Sequence, residues 1–188
     1  MNWKRIWLLF SIAVALAIFE IQIEGQNGWA RNLPCWRAAP DSLVQKIYGA
    51  LMNDKPCDGF HLSEVALLVL MFHLPFVFGK KWDKSTECEI LASFFTMSIC
   101  WDFLWFIFNP AFGWEKFDAS YIWWHKYWIG AFPKDYYGGM VPIILLVFVA
   151  SSFNKKENFC LTAKRIAKDL IGLLSLTAIA AVIFEITK

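Results

Sequence analysis

The chain has 188 residues, of which 58% are hydrophobic and only 18% are charged. A soluble domain is roughly 45–50% apolar and about 25% charged, so this composition argues against a soluble globular protein and is typical of a polytopic membrane protein. The formal net charge of +2 comes without a basic patch carrying interleaved aromatic residues outside the membrane flanks, which argues against nucleic acid as a partner.

Five long apolar runs predict the main elements. They are residues 6–23, 61–79, 90–108, 140–153 and 169–187. A helix needs roughly 20 apolar residues to cross the hydrocarbon core of a bilayer, so the fourth run is short, and we expect Pro142 in the first turn of its helix. Runs of this length favour helices, because barrel strands alternate in segments of about 10 residues. We predict an all-α bundle of about five transmembrane helices in a single domain over residues 1–188.

Basic residues beside the runs predict the orientation. Ten of the 18 lie in short segments, namely Lys4, Arg5, Lys80, Lys81, Lys84, Lys155, Lys156, Lys164, Arg165 and Lys168. Because short cytoplasmic loops are rich in Lys and Arg, we expect a cytoplasmic N-terminus, outer loops at 24–60 and 109–139, and a multi-pass protein of the cell membrane with lipids as partners. Alternatively, residues 1–17 are a cleaved signal peptide, although the apolar run continues to Ile23.

A short helix is predicted in the first outer loop. Leu43, Ile47 and Leu51 recur at helical spacing behind a candidate cap at Asp41. An apolar stripe of this kind predicts an amphipathic helix that lies on the outer surface.

The cysteines predict a loop constraint and exclude two chemistries. None of the five forms a C-x-x-C motif, which argues against a thiol-disulfide oxidoreductase and the usual zinc spacings. Cys35 and Cys57 share the first outer loop. Since disulfides persist in oxidising compartments, we expect a bridge between them, with two unlinked thiols as the alternative.

Several ionisable residues lie inside the apolar runs or at their outer ends. By the helical rise, Asp102 lies about 9 Å and Glu64 about 5 Å below the outer surface. Glu20 and Glu24 lie at the outer end of the first run, and His61 precedes Glu64 by one turn. An ionised carboxylate at the bilayer centre costs about 2.5 kcal/mol or more, so such residues predict a functional site.

These side chains predict a pocket in the outer half of the bundle. It would comprise Glu20, Glu24, His61, Glu64, Asp102 and His125, the last from the aromatic segment 121–128. Carboxylates and imidazoles that project from several helices are the ligands of Zn, Fe and Mn sites; the candidate ligands are Glu20, His61, Glu64, Asp102 and His125. Asp102, Glu64 and His61 are also candidate acid–base catalysts. The expected substrate entrance comprises Trp124, Trp105, Arg31 and Arg37.

Each of these residues also has a purely structural interpretation. Glu24 can be a solvated helix end, Glu20 an interfacial side chain, and His61 a cap of the second helix. Asp102 can be paired with a basic residue or an indole N–H. His125 can belong to an interfacial aromatic belt.

Two functions follow from this pocket. Common motifs are absent: there is no G-x-S-x-G, no H-E-x-x-H and no Gly-rich phosphate loop. The first hypothesis is a membrane enzyme, metal-dependent or acid–base, that acts on a lipid or an apolar small molecule. The alternative is a non-catalytic membrane subunit, or a carrier that binds a cation or a proton.

Overall fold

The structure is a computed structural model that describes residues 1–187, and over this range the chain is mainly helical. The described residues form six α-helices: α1 (Trp3–Glu24), α2 (Leu43–Leu51), α3 (Gly59–Val77), α4 (Lys84–Phe108), α5 (Lys134–Phe153) and α6 (Phe159–Thr187). A short antiparallel hairpin of β1 (Trp128–Ile129) and β2 (Phe132–Pro133) precedes α5.

Five of these helices, α1 and α3 to α6, are long and apolar enough to cross a membrane. This confirms the prediction of a helical chain with five candidate spans. The helix built on the fourth run begins at Lys134 and has 20 residues, because it continues through the polar and aromatic residues that precede the apolar run. Pro142 therefore lies inside α5, and the expectation of a first-turn position is wrong.

Side-chain caps determine where four helices begin. Asn2, Ser42, Asp58 and Asp83 each accept a hydrogen bond from the backbone N–H three residues later, which satisfies one unpaired donor of the first turn. The helix predicted in the first loop is present as α2, but its cap is Ser42 rather than Asp41.

Helix α4 lies at the centre of the bundle and packs against α1, α5 and α6. Of its apolar stretch, 56% is buried, compared with 11% for α3, which packs mainly against α4. Small residues of α1, Ala13 and Ala17, are fully buried, because close approach to a neighbouring helix requires short side chains. Helix α3 exposes most of its apolar surface, as expected of a helix that faces lipid.

The two cysteines of the first loop are free, so the expected disulfide is wrong. The backbones of Arg37 and Asp58 form an isolated antiparallel β-bridge, and the N–H of Ala38 donates to the carbonyl of Cys57 at 3.0 Å. This register sets Cys57 opposite Ala38, three residues from Cys35. Three extended residues span about 10 Å, whereas a disulfide needs Cα atoms within about 7 Å.

Candidate functional site

Four ionisable side chains meet where α1 ends and α3 begins. Glu20 and Glu24 lie one turn apart at the end of α1, and His61 and Glu64 lie one turn apart near the start of α3. Each pair shares a helix face, and each of the four residues is at most 9% exposed. The structure thus brings together four of the predicted residues in one buried cluster, called here the carboxylate–histidine site.

Asp58 holds His61 in one orientation. The Asp58 carboxylate caps α3 by accepting the backbone N–H of His61 at 3.0 Å, and its Oδ2 lies 2.8 Å from His61 Nδ1. The indole of Trp29 stacks on the imidazole with 4.0 Å between ring centroids. The other ring nitrogen, Nε2, faces the carboxylates of Glu20 and Glu24, at 3.6 Å from Oε1 of each. A carboxylate on one nitrogen of a histidine is the usual arrangement when the other nitrogen binds a metal.

Glu64 is the unsatisfied member of the site. Both of its carboxylate oxygens are buried, and neither has a hydrogen-bond partner among residues 1–187. A buried charged group without a partner is costly, by several kcal/mol or more. A carboxylate oxygen of Glu64, one of Glu20 and a ring nitrogen of His61 all lie within 4.8 Å of one another. The three side chains are therefore placed to share a ligand.

The distance between His61 and Glu20 is compatible with a shared cation. The 3.6 Å between His61 Nε2 and Glu20 Oε1 is too long for a good hydrogen bond. It is close to the roughly 3.4 Å that separates two ligands of a tetrahedral metal with bonds of about 2.1 Å. One imidazole with two or more carboxylates suits Zn, Fe or Mn, since Mg and Ca prefer oxygen ligands alone.

Asp102 and His125 belong to a second cluster. His125 Nδ1 lies 2.8 Å from Asp135 Oδ2, and its Nε2 lies 3.3 Å from Asp102 Oδ2. The hydroxyl of Tyr136 donates to Asp102 at 2.6 Å, and the ammonium of Lys55 lies 2.9 Å from Asp135. An imidazole fixed between two carboxylates is arranged for proton transfer. We call these five residues the acid–base cluster.

The indole of Trp29 lies between the two clusters. It stacks on His61, and the ammonium of Lys55 lies 4.5 Å from the centre of the indole. The expected single pocket is therefore two neighbouring clusters. The division arises because Asp102 faces α5, where it meets Tyr136, whereas the carboxylate–histidine site is built from α1 and α3.

The residues predicted to line an entrance occupy other positions. Trp105 and Trp124 are 3% and 5% exposed and pack edge-to-face within an aromatic core. Gly28 makes this burial possible, because a Cβ there would overlap the Trp124 ring. Arg31 lies over an exposed indole, that of Trp123, at 5.6 Å.

Arg37, the fourth entrance residue, stabilises the first loop. Its guanidinium donates to the backbone carbonyls of Ala30, Arg31 and Leu33, at 3.3 Å and 3.5 Å for the last two. These bonds hold the turn that carries Trp29 onto His61, so Arg37 supports the site indirectly.

Sequence reasoning missed several residues of both clusters. Asp58, Lys55 and Asp135 lie in polar segments outside the apolar runs, where single charged residues are common and carry no signal. Asp58 alone had a usable signal, since an aspartate just before a helix is a typical cap and lies three residues from His61. Tyr136 was missed because α5 begins before the apolar run.

The thiol of Cys57 lies next to this site but does not belong to its ligand set. Burial, with the neighbouring Asp58 carboxylate, raises the pKa of Cys57. The ligand atoms that converge in the site belong to Glu20, His61 and Glu64, and Cys57 is not among them.

Comparisons of the sequence with protein-family models and with curated proteins, and of the fold with solved structures, give no match.

Proposed function

We propose that this protein is a multi-pass membrane protein whose carboxylate–histidine site lies towards the outer face of the cell membrane. Helix α1 begins beside Lys4 and Arg5 and ends at Glu24, so the basic residues and the site lie at opposite ends of the bundle. The excess of Lys and Arg at one end supports a cytoplasmic location for that end. Membrane lipids then surround the exposed apolar face of α3.

The site binds a divalent cation, Zn, Fe or Mn, through Glu20, His61 and Glu64. The observation that carries this proposal is Glu64, whose two oxygens are buried without a protein partner beside two further ligand atoms. A cation there would satisfy both oxygens and balance the excess of carboxylates over imidazole. Asp58 would not touch the cation but would fix the orientation of His61.

A metal-dependent enzyme that acts on a lipid or an apolar small molecule is the function we favour. A bound cation can polarise a substrate oxygen or lower the pKa of a bound water. The neighbouring acid–base cluster would supply the proton transfer, with His125 between Asp102 and Asp135. An apolar cavity of about 500 Å³ between α4, α5 and α6 reaches Tyr136, whose hydroxyl donates to Asp102. Its apolar lining supports an apolar substrate.

The second candidate is a non-catalytic subunit or cation carrier. It is favoured by the burial of the ligand residues, each at most 9% exposed, and by the Trp29 ring that covers His61. A catalytic metal keeps an open position for substrate, whereas a structural metal is fully enclosed by the protein.

Elemental mass spectrometry on detergent-purified protein tests the cation site. We expect about one equivalent of Zn, Fe or Mn in the wild type and in Glu115→Gln, a matched change at an exposed residue. Glu64→Gln should reduce the metal content at least tenfold. Absence of stoichiometric metal from the wild type after reconstitution with each of the three cations would overturn the proposal.

A second measurement separates the two functions. Purified, metal-loaded protein is incubated with extracted membrane lipids, and the products are analysed by mass spectrometry. The enzyme predicts new or depleted species that disappear in Asp102→Asn, while the metal content of that variant stays at the wild-type level. If no species changes with any of the three cations, the non-catalytic function is preferred.

A further inference from the structure

A large cleft opens at the end of the bundle opposite the carboxylate–histidine site. It has a volume of about 1650 Å³ and is bordered by α1, α3, α4, α6 and the segment after α5. Drug-sized ligands occupy roughly 300–1,000 Å³, so this cleft is larger than an ordinary small-molecule site. Its walls include apolar side chains from three helices, among them Leu8, Ile12, Met71, Leu74 and Ile90.

The mouth of the cleft is basic. Five exposed lysines border it, namely Lys4, Lys80, Lys84, Lys155 and Lys156. In the part of the chain that the structure describes, none of these ammonium groups lies within ion-pair distance of a carboxylate. Their charge is therefore available to a ligand.

The acidic residues of the cleft are already engaged. Glu89 accepts hydrogen bonds from both Arg5 and Arg165. Asp169 accepts the backbone N–H of Asn2 at 2.8 Å. Asp83 caps α4, and the hydrogen bond from the backbone N–H of Thr86 lowers the pKa of its carboxyl group. These three carboxylates keep their negative charge, but seven basic residues line the cleft, namely the five lysines, Arg5 and Arg165, so the net charge of the lining is positive.

Two exposed tryptophans indicate where the mouth of the cleft lies relative to the bilayer. Trp3 and Trp82 border the cleft with 54% and 60% of their surface exposed. Exposed indoles are enriched at the level of lipid headgroups, so the lysines lie where phosphates of a bilayer are found. Below them the walls are mainly apolar, as acyl chains require, and the polar groups Arg5, Glu89 and Ser93 are hydrogen-bonded to one another.

We propose that this cleft binds an anionic phospholipid, with its phosphate among the lysines and its acyl chains along the apolar walls. Basic pockets between transmembrane helices are a known mode of headgroup recognition. The proposal does not depend on the metal site, which lies at the other end of α1 and α3.

Native mass spectrometry of the detergent-solubilised protein tests this site. Phosphatidylglycerol and phosphatidylcholine with identical acyl chains are added separately, and the retained lipid is measured. We expect the wild type to retain phosphatidylglycerol at least tenfold more strongly. The double change Lys80→Gln/Lys84→Gln should reduce this preference at least tenfold, because each lysine near an anionic headgroup contributes about fivefold.

Lys164→Gln/Lys168→Gln is the matched control, since these lysines are exposed at the same end but lie outside the cleft. It should keep the wild-type preference. Soluble glycerol phosphate, which offers the same anion without acyl chains, should not compete. Equal retention of the two lipids, equal effects of the two double variants, or full competition by glycerol phosphate would each overturn the proposal.

Discussion

Glu64→Gln should change metal affinity and metal-free stability in opposite directions. Gln has the same size as Glu but carries no charge, so the packing of α3 is retained. Loss of a residue that only orients a metal ligand typically weakens metal binding about 10–100-fold. Because Glu64 would bind the cation directly, as one of three protein ligands, we expect a loss of about 100-fold or more, or about 2.7 kcal/mol.

The metal-free protein should respond in the other direction. Both Glu64 oxygens are buried without a partner among the described residues, and an unsatisfied charged group costs more than an unsatisfied amide. Measured at alkaline pH, where the Glu64 carboxyl group is ionised, Glu64→Gln should therefore raise the free energy of unfolding of the metal-free protein by about 1 kcal/mol or more.

Thermal unfolding in detergent, with a chelator and then with added Zn, Mn or Fe, measures both effects. At a metal concentration 100 times its dissociation constant, the wild type should gain about 2.7 kcal/mol of stability, and the variant about 0.4 kcal/mol. Glu115→Gln should behave as the wild type. A variant that keeps the full metal-induced shift, or that is less stable than the wild type in chelator, would refute the assignment of Glu64 as a ligand.

Three further predictions concern single groups. Asp58→Asn should keep the cap of α3, since Asn caps as well as Asp. It should weaken metal binding about 10–100-fold, because the imidazole loses its orienting carboxylate. Equilibrium dialysis with the metal measures this affinity, and an unchanged affinity would contradict the prediction. Cys35 and Cys57 should both be alkylated without prior reduction, although the buried Cys57 should react only after unfolding. A disulfide between the two residues, found by mass mapping, would contradict the register of the loop. Asp83→Ala should destabilise α4 by about 1 kcal/mol near pH 7. Because a backbone N–H lowers the pKa of Asp83 from 3.8, this difference should be full above that value and should shrink as the pH falls through the lowered pKa; denaturant unfolding at several pH values measures it.

The carboxylate–histidine site was largely predictable because its residues lie in the apolar runs. An acid or histidine among apolar residues stands out, and helical spacing places Glu20 beside Glu24 and His61 beside Glu64. Each of these pairs is local in sequence. The two pairs are also predicted to meet, because the end of α1 and the start of α3 lie on the same side of a bilayer.

The helical class and the number of candidate spans can be read from the sequence, because a helix buried in lipid needs about 20 consecutive apolar residues. The distribution of the ionisable groups between the two clusters depends instead on how the helices pack. Asp102 joins Tyr136 rather than His61 because of the way α4 packs against α5. Lys55 and Asp58 are only three residues apart in the loop, but Lys55 joins the acid–base cluster and Asp58 contacts His61. The two residues are separated because Trp29 is inserted between them. Such assignments depend on contacts between distant segments, which no local pattern encodes.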